Sequence, residues 1–170
     1  MKISDKLATA INEQINAEFY SAYLYLSLSN FWEEQGRKGV ANWFRMQAQE
    51  EVDHARIFMD YMHDRDGIVR LHAIEQVKQE WSSLLESFTD TLAHERLVTK
   101  RIYDLYELAE NEKDYATRQK LNWYIAEQVE EEASVQEIID NLKLVGEDGT
   151  GIFQIDRELG KRSYSAPKGE

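Results

Sequence analysis

Six polar residues lie on helical stripes that are otherwise apolar, and their side chains are of the kinds that bind metal ions. They are Glu18, Glu51, His54, Glu95, Gln128 and Glu131. Glu51 and His54 stand three positions apart, as do Gln128 and Glu131, so each pair shares one face of a helix. Carboxylates with a single imidazole suit iron or manganese, and zinc also fits. This pattern predicts a metal site.

Charge balance points to two metal ions. Four carboxylates at one level of a core repel each other, and each would cost several kcal/mol to bury ionised or would stay protonated. Two divalent cations would cancel the four negative charges. Two alternatives remain open at this point: a structural bundle whose buried acids are paired with arginines, and a lone His54 that is an ordinary core histidine.

The stripes that carry these residues predict four long helices. Apolar residues recur at spacings of three and four along segments 11–32, 40–61, 81–109 and 117–145, the last two beginning at Trp81 and Thr117. Short breaks at 35–38 and 111–114 predict two antiparallel pairs. If each pair folds back at its break, Glu18 lies level with His54, and Glu95 lies level with Gln128 and Glu131. The six groups then meet at one height.

The segment 66–80 is too long for an ordinary loop, and it can span the length of a bundle helix. We therefore predict an all-α fold, a four-helix bundle with one long crossover that makes helices two and three parallel. After a glycine-rich break come Ile152, Phe153, Ile155 and Leu159, which predict a short fifth helix. This helix would either fold onto its own bundle or be buried against other subunits. We expect one domain over 1–162 and a flexible C-terminal tail over 163–170.

The composition of the chain argues against several classes of partner and site. The net charge is −12, which argues against nucleic acid and anionic membranes as partners. There is no cysteine, which excludes disulfides and thiolate metal sites. No apolar run reaches the roughly 18 residues that a transmembrane helix needs. The first residues lack the apolar core of a signal peptide, so we expect a cytoplasmic protein.

Four stretches of this sequence resemble the helices of the non-haem ferritins of bacteria and archaea. They are NEQINAEFYSAYLYLS, FRMQAQEEVDHA, HERLVTKRIYDL and WYIAEQVEEEAS, and the resemblance runs from about Ser4 to Leu159. It implies a ferritin-like di-iron carboxylate protein that oxidises Fe(II) with oxygen or hydrogen peroxide and stores the ferric mineral in a hollow homo-oligomer. Ferritins of this kind assemble from 24 subunits, which we therefore expect here.

The resemblance also implies roles for individual residues. Glu18, Glu51 and His54 would hold one iron, and Glu51 would bridge to a second iron held by Glu95 and Glu131. Gln128 would lie beside the pair and steer oxygen. Tyr25 would donate an electron or a hydrogen bond, although its position also fits an ordinary core aromatic. A possible third iron site, otherwise a solvated acidic face, would comprise Glu50, Glu127 and Glu130.

Neighbouring families differ at diagnostic positions. Bacterioferritins have a haem-binding methionine where this chain has Val52 and a histidine where it has Glu131, so we expect no haem. Animal ferritins line a three-fold channel with two acids, where this chain has Arg118 and Leu121. A di-iron peroxidase or oxygenase with the same ligands, a small oligomer and an organic or peroxide substrate is the remaining enzymatic alternative.

Overall fold

The computed structural model describes residues 1–166, and this part of the chain folds into five helices. They are α1 (Asp5–Glu34), α2 (Lys38–Asp64), α3 (Leu84–Asn111), α4 (Tyr115–Val145) and α5 (Gly149–Leu159). The predicted all-α bundle with a short fifth helix is confirmed. None of these helices combines the length and apolar character needed to cross a bilayer, among the residues described.

Hydrogen bonds at one end of the bundle, which we call the Ser4 end, establish the topology. The Ile3 amide donates to the Arg65 carbonyl over 2.9 Å, which joins the start of α1 to the end of α2. The Arg65 guanidinium bonds to Asp114, the N-cap of α4. The Ser4 hydroxyl donates to Glu112, just beyond α3. Helices α1 and α4 therefore begin where α2 and α3 end, so α2 and α3 are parallel as predicted.

The apolar core is divided into two clusters by a layer of polar side chains. The cluster at the Ser4 end is built from residues 3–15, 55–62, 98–109 and 121–124. The cluster at the opposite end, which we call the Trp32 end, is built from residues 25–48, 81–92 and 135–142. Between them lies the polar layer, which comprises Glu18, Glu51, His54, Glu95, Gln128 and Glu131. The stripes therefore bury apolar surface on both sides of a level where all four helices carry polar groups.

The crossover between α2 and α3 is held along its length by side chains of α1. The Asn12 amide donates to the Ile68 carbonyl over 2.9 Å and accepts from the Arg70 amide over 2.7 Å. Further along, the Ser27 hydroxyl donates to the Lys78 carbonyl over 2.7 Å. These bonds satisfy backbone groups that would otherwise lie unpaired against the bundle.

The third helix begins later than its stripe predicts. Trp81 lies in the crossover, because Ser83 caps α3 by accepting from the Glu86 amide over 3.0 Å. Trp81 is nonetheless buried, with its ring centroid 5.5 Å from that of Phe31. A buried aromatic just before a helix has the same spacing in sequence as one within it, which explains the difference.

Helix α5 folds back onto its own bundle, one of the two predicted arrangements. It contacts α2 and α4, and its apolar side chains Ile152, Ile155 and Leu159 pack against the core cluster at the Trp32 end. Phe153 is 52% exposed, and no residue of α5 is fully buried. The helix therefore keeps an apolar side chain available at the surface.

Helix α5 also supplies the N-terminal cap that α2 lacks. Arg37 precedes α2 and makes no side-chain cap bond. Instead, Asp156 of α5 accepts from the Val40 amide over 3.0 Å, and a carboxylate there also complements the helix dipole. The close crossing requires Gly39, since a Cβ at that position would lie 1.6 Å from the Asp156 carbonyl oxygen.

The segment after α5 lies along α2 and forms hydrogen bonds with it. The Asn42 amide donates to the Arg162 carbonyl over 2.9 Å, and the Tyr164 hydroxyl donates to Asp53. The predicted boundary between domain and flexible tail at 162/163 remains a prediction, and residues 167–170 lie outside the described part of the chain.

We predict that Asp114→Asn lowers the free energy of unfolding by about 1 to 3 kcal/mol, because it removes the charge that pairs with the buried Arg65 over 2.6 Å. The hydrogen bond from Arg65 lowers the pKa of Asp114 from 3.8, so its contribution is present above that pH and is lost as the pH falls further. Thermal unfolding at pH 7 and pH 3 measures both effects. Asp104→Asn, which breaks an exposed pair with Lys100, is the control and should change little; equal losses from the two variants would contradict the prediction.

Candidate metal centre

All four bundle helices contribute to the polar layer, and every member is buried. Helix α1 carries Glu18, α2 carries Glu51 and His54, α3 carries Glu95, and α4 carries the pair predicted from its spacing. Their exposed fractions range from 0% for Glu95 to 6% for Glu131. The structure therefore brings together all six residues that interrupt the stripes.

Two groups of possible metal ligands within residues 1–166 meet in this layer and share one imidazole. The first comprises Glu18, Glu51 and His54, and the second comprises His54, Glu127 and Glu131, with the ligand atoms of each group within 4.8 Å of one another. Glu18 Oε2 and His54 Nε2 are buried without a hydrogen-bond partner in the described chain. Buried polar atoms are rarely left unpaired, so these atoms are suited to bind an ion.

Glu95 is held by hydrogen bonds on both carboxylate oxygens. The fully buried Tyr25 hydroxyl donates to Oε1, and the Gln128 amide donates to Oε2 over 3.1 Å. The same amide lies 3.3 Å from the Thr99 hydroxyl. Tyr25 thus makes the predicted hydrogen bond to a candidate ligand, and Gln128 lies against Glu95, beside the groups it was predicted to accompany.

Two glutamines that were not predicted as site residues also contact the acids. The Gln14 amide donates to Glu18 Oε1 over 2.9 Å, and the Gln47 amide donates to Glu131 Oε2 over 2.7 Å. Gln14 precedes Glu18 by four residues, a spacing that could have indicated it. Gln47 reaches a different helix, so only the packed structure shows its partner.

Aromatic residues of α4 enclose the imidazole. The Tyr124 hydroxyl donates to the His54 carbonyl over 2.7 Å. The Trp123 ring lies edge-on to His54, with centroids 5.6 Å apart. Both residues lie on α4, the helix that also carries Gln128, but nothing in their types or spacing distinguishes them from core aromatics.

Burial and mutual repulsion raise the pKa values of Glu51, Glu95 and Glu131 and favour their protonated forms. Burial, followed by the charges of Glu95 and Glu18, holds the pKa of Glu51 well above its usual value. Burial and the charge of Glu95 raise the pKa of Glu131 to about 8. Burial also raises the pKa of Glu95, despite the hydrogen bonds from Tyr25 and Gln128. A cation would reverse this balance, because it favours the ionised carboxylates.

The three acids of the predicted third site occupy different surroundings. Glu127 joins the group around His54, whereas Glu130 is exposed. Glu50 is partly buried and accepts a hydrogen bond from the Arg162 guanidinium. Burial raises the pKa values of Glu50 and Glu127, and the charge of Glu127 adds to the shift of Glu50.

The residues at which this chain differs from neighbouring families lie in three different surroundings. Leu121 is 0% exposed in the core cluster at the Ser4 end, so its side chain does not line an open channel in this chain. Arg118 contacts Tyr106 and lies 3.5 Å from Glu110. Val52 is partly buried on α2 beside the polar layer.

Known proteins with this architecture share much of the sequence. The family model described as a ferritin-like domain matches residues 8–145. A bacterial non-heme ferritin of Bacteroides fragilis is 46% identical over 160 residues, 94% of this chain and 99% of the relative. One from Staphylococcus epidermidis is 42% identical over 163 residues, 96% and 98% of the two chains. The solved open-pore ferritin of the archaeon Archaeoglobus fulgidus has a TM-score of 0.94 and 49% identity, and the match covers 95% of this chain and 98% of that one.

We predict that Glu131→Gln stabilises the metal-free protein more at pH 8 than at pH 5. The pKa of Glu131 is raised from 4.5 to about 8, so burying the acid costs nothing below 4.5 and progressively more up to about 8. Thermal unfolding in chelator at both pH values measures the gain. Glu137→Gln on the exposed face of α4 is the matched control, and a gain from Glu131→Gln that is the same at both pH values would contradict the assignment.

Proposed function

We propose, because this chain belongs to the ferritin family, that it oxidises Fe(II) to Fe(III) in the polar layer and stores the ferric product as a mineral inside a hollow shell of many copies. The observation that carries the proposal is the layer itself. Four buried acids and one imidazole share a level of the core, and two groups of possible ligand atoms share that imidazole. Oxygen-rich sites of this kind suit iron.

Two Fe(II) ions are the substrates of each oxidation. Glu18, Glu51 and His54 bind one ion, while Glu95 and Glu131 bind the second and Glu51 bridges the two. Glu127 lies close enough to His54 and Glu131 to join them. Because burial raises the pKa of Glu51 and of Glu131, binding displaces protons from these carboxyls.

The electron balance requires an oxidant. Oxygen takes one electron from each of two Fe(II) ions and, with two protons, leaves as hydrogen peroxide. When peroxide is the oxidant instead, it takes one electron from each of two Fe(II) ions and, with two protons, forms two water molecules. Tyr25 donates its hydroxyl hydrogen to Glu95, which places a redox-active phenol beside the site. Gln128 donates to the other oxygen of Glu95. In this proposal its side chain positions the oxidant beside the two iron ions.

The shell is proposed to contain 24 subunits and to function in the cytoplasm. Exposed apolar side chains on α1, the crossover and α5 support assembly into a large oligomer; they include Tyr23, Leu26, Ile68, Leu71, Ile74 and Phe153. Three of them, Tyr23, Leu26 and Ile74, line one surface groove, and a contiguous exposed apolar patch marks an interaction surface.

We predict that Glu51→Ala and His54→Ala each slow the first phase of Fe(II) oxidation by more than about tenfold, because each removes a ligand of the centre. Fe(II) is added aerobically to the iron-free protein, and ferric absorbance and particle size are followed together. We expect the unmodified protein to be a large particle that retains a ferric core, and both variants to assemble normally.

Asp60→Ala is the matched control, since Asp60 is an exposed acid on the same helix. Unchanged oxidation by Glu51→Ala and His54→Ala would refute the assigned centre. A small oligomer that turns over Fe(II) without retaining a core would instead favour a di-iron peroxidase or oxygenase.

We also predict that Glu130→Ala changes the stoichiometry or the later turnover of Fe(II) oxidation while the first fast phase is preserved. Glu130 is exposed and lies one turn from the half-buried Glu127, whose pKa its charge helps to raise. Stopped-flow absorbance with increasing Fe(II) per subunit separates the two phases. Loss of the first phase would exclude the third-site role of Glu130.

A further inference from the structure

A chain of three side chains connects the surface of α3 to the polar layer. Arg101 Nε donates to Gln14 Oε1 over 3.1 Å, and Gln14 Nε2 donates to Glu18 Oε1 over 2.9 Å. Gln14 is 1% exposed, whereas Arg101 is partly exposed. Arg101 is also fixed at a second point, because its Nη2 donates to the Glu13 carbonyl over 3.0 Å.

Arg101 determines which way the Gln14 amide faces. A guanidinium has only donors, so it can accept nothing from the amide nitrogen. The carbonyl oxygen of Gln14 must therefore face Arg101, and its NH₂ group must face Glu18. If the amide turned over, its nitrogen would meet the guanidinium and its oxygen would meet the carboxylate, and both contacts would be repulsive.

This orientation decides which oxygen of Glu18 is free. Oε1 is occupied by the Gln14 amide, and Oε2 is buried without a partner in the described chain. The carboxylate belongs to the ligand group with Glu51 and His54. We infer that Gln14 and Arg101 are positioning residues for Glu18: together they hold its carboxylate so that one oxygen is directed to the metal.

Gln47, the other glutamine outside the polar layer that donates to one of its acids, is not anchored in this way. Gln47 donates to Glu131, but its own Oε1 is buried with no hydrogen-bond partner among residues 1–166. Of these two amides, that of Gln14 is the one whose direction is fixed by a cation. This inference rests on the proposed function, because it assumes that Glu18 is a metal ligand.

A positioning role and a purely electrostatic effect of Arg101 predict opposite changes in metal affinity when Arg101 is removed. Arg101 is positive, so its removal should strengthen binding of a cation if charge alone mattered. If Arg101 instead orients Gln14, its removal should weaken binding even though the local charge becomes more favourable. Lys100 is a neighbouring α3 cation that is exposed and paired with Asp104 over 2.7 Å, so it reports the charge effect alone.

The test is an anaerobic Co(II) titration of the assembled, iron-free protein, followed by the visible absorption of bound Co(II) and by calorimetry. We expect Gln14→Leu to weaken binding by about 10- to 100-fold and to alter the absorption band. Arg101→Met should weaken it by about 3- to 10-fold, Arg101→Lys should restore part of the loss, and Lys100→Met should leave binding unchanged or slightly tighter. Thermal unfolding checks that each variant is folded.

Binding by Arg101→Met that is as tight as binding by Lys100→Met would overturn the inference, even if Gln14→Leu fails to fold. Glu18→Ala separates this failure from that of the proposed function. If the unmodified protein binds Co(II) and Glu18→Ala weakens binding while Arg101→Met does not, only the positioning role is lost. If neither the unmodified protein nor Glu18→Ala binds Co(II) in this layer, both proposals fail.

Discussion

Repulsion among acids buried in the polar layer is the constraint on which the bundle depends. Glu51, Glu95 and Glu131 lie within the core, where burial raises the pKa of each. Their cost is offset by the two apolar clusters on either side, which every bundle helix crosses. The length of the helices follows from this arrangement, because a shorter bundle would have a polar level without enough apolar surface beside it.

The hydrogen-bond donors that contact Glu18, Glu95 and Glu131 are neutral, which distinguishes a metal site from a structural ion pair. Glu95 is contacted by a phenol and an amide, and Glu18 and Glu131 each accept from a glutamine. Neutral donors orient a carboxylate and leave its negative charge uncompensated. The alternative of a structural bundle requires arginines on these acids. Arg101, by contrast, donates to Gln14 and orients its amide rather than pairing with Glu18.

The topology brings one part of the layer from each helix to the same height. The crossover returns the chain to the Trp32 end before α3 begins, so α2 and α3 run in the same direction and all four interruptions coincide. Helix α5 then closes that end, with Asp156 capping α2 at Val40. The crossover therefore places the polar groups of the four helices at one height, and α5 covers the end of the bundle at which α3 begins.

Much of this could be predicted from the sequence, because the spacing of apolar residues and the two short breaks determine which polar residues share a level. The six residues of the layer and the parallel α2 and α3 were found in this way. The first residue of α3 was not, since Trp81 has the spacing of a helical core residue while lying outside the helix.

Which atoms meet across the bundle depends on how the helices pack against one another. The donation from Gln47 to Glu131 and the hold of Arg162 on Glu50 link residues far apart in the chain. A sequence specifies the face and height of a side chain through helical periodicity. The partner on another helix depends on how the helices pack and which rotamers that packing allows, and periodicity carries no information about either.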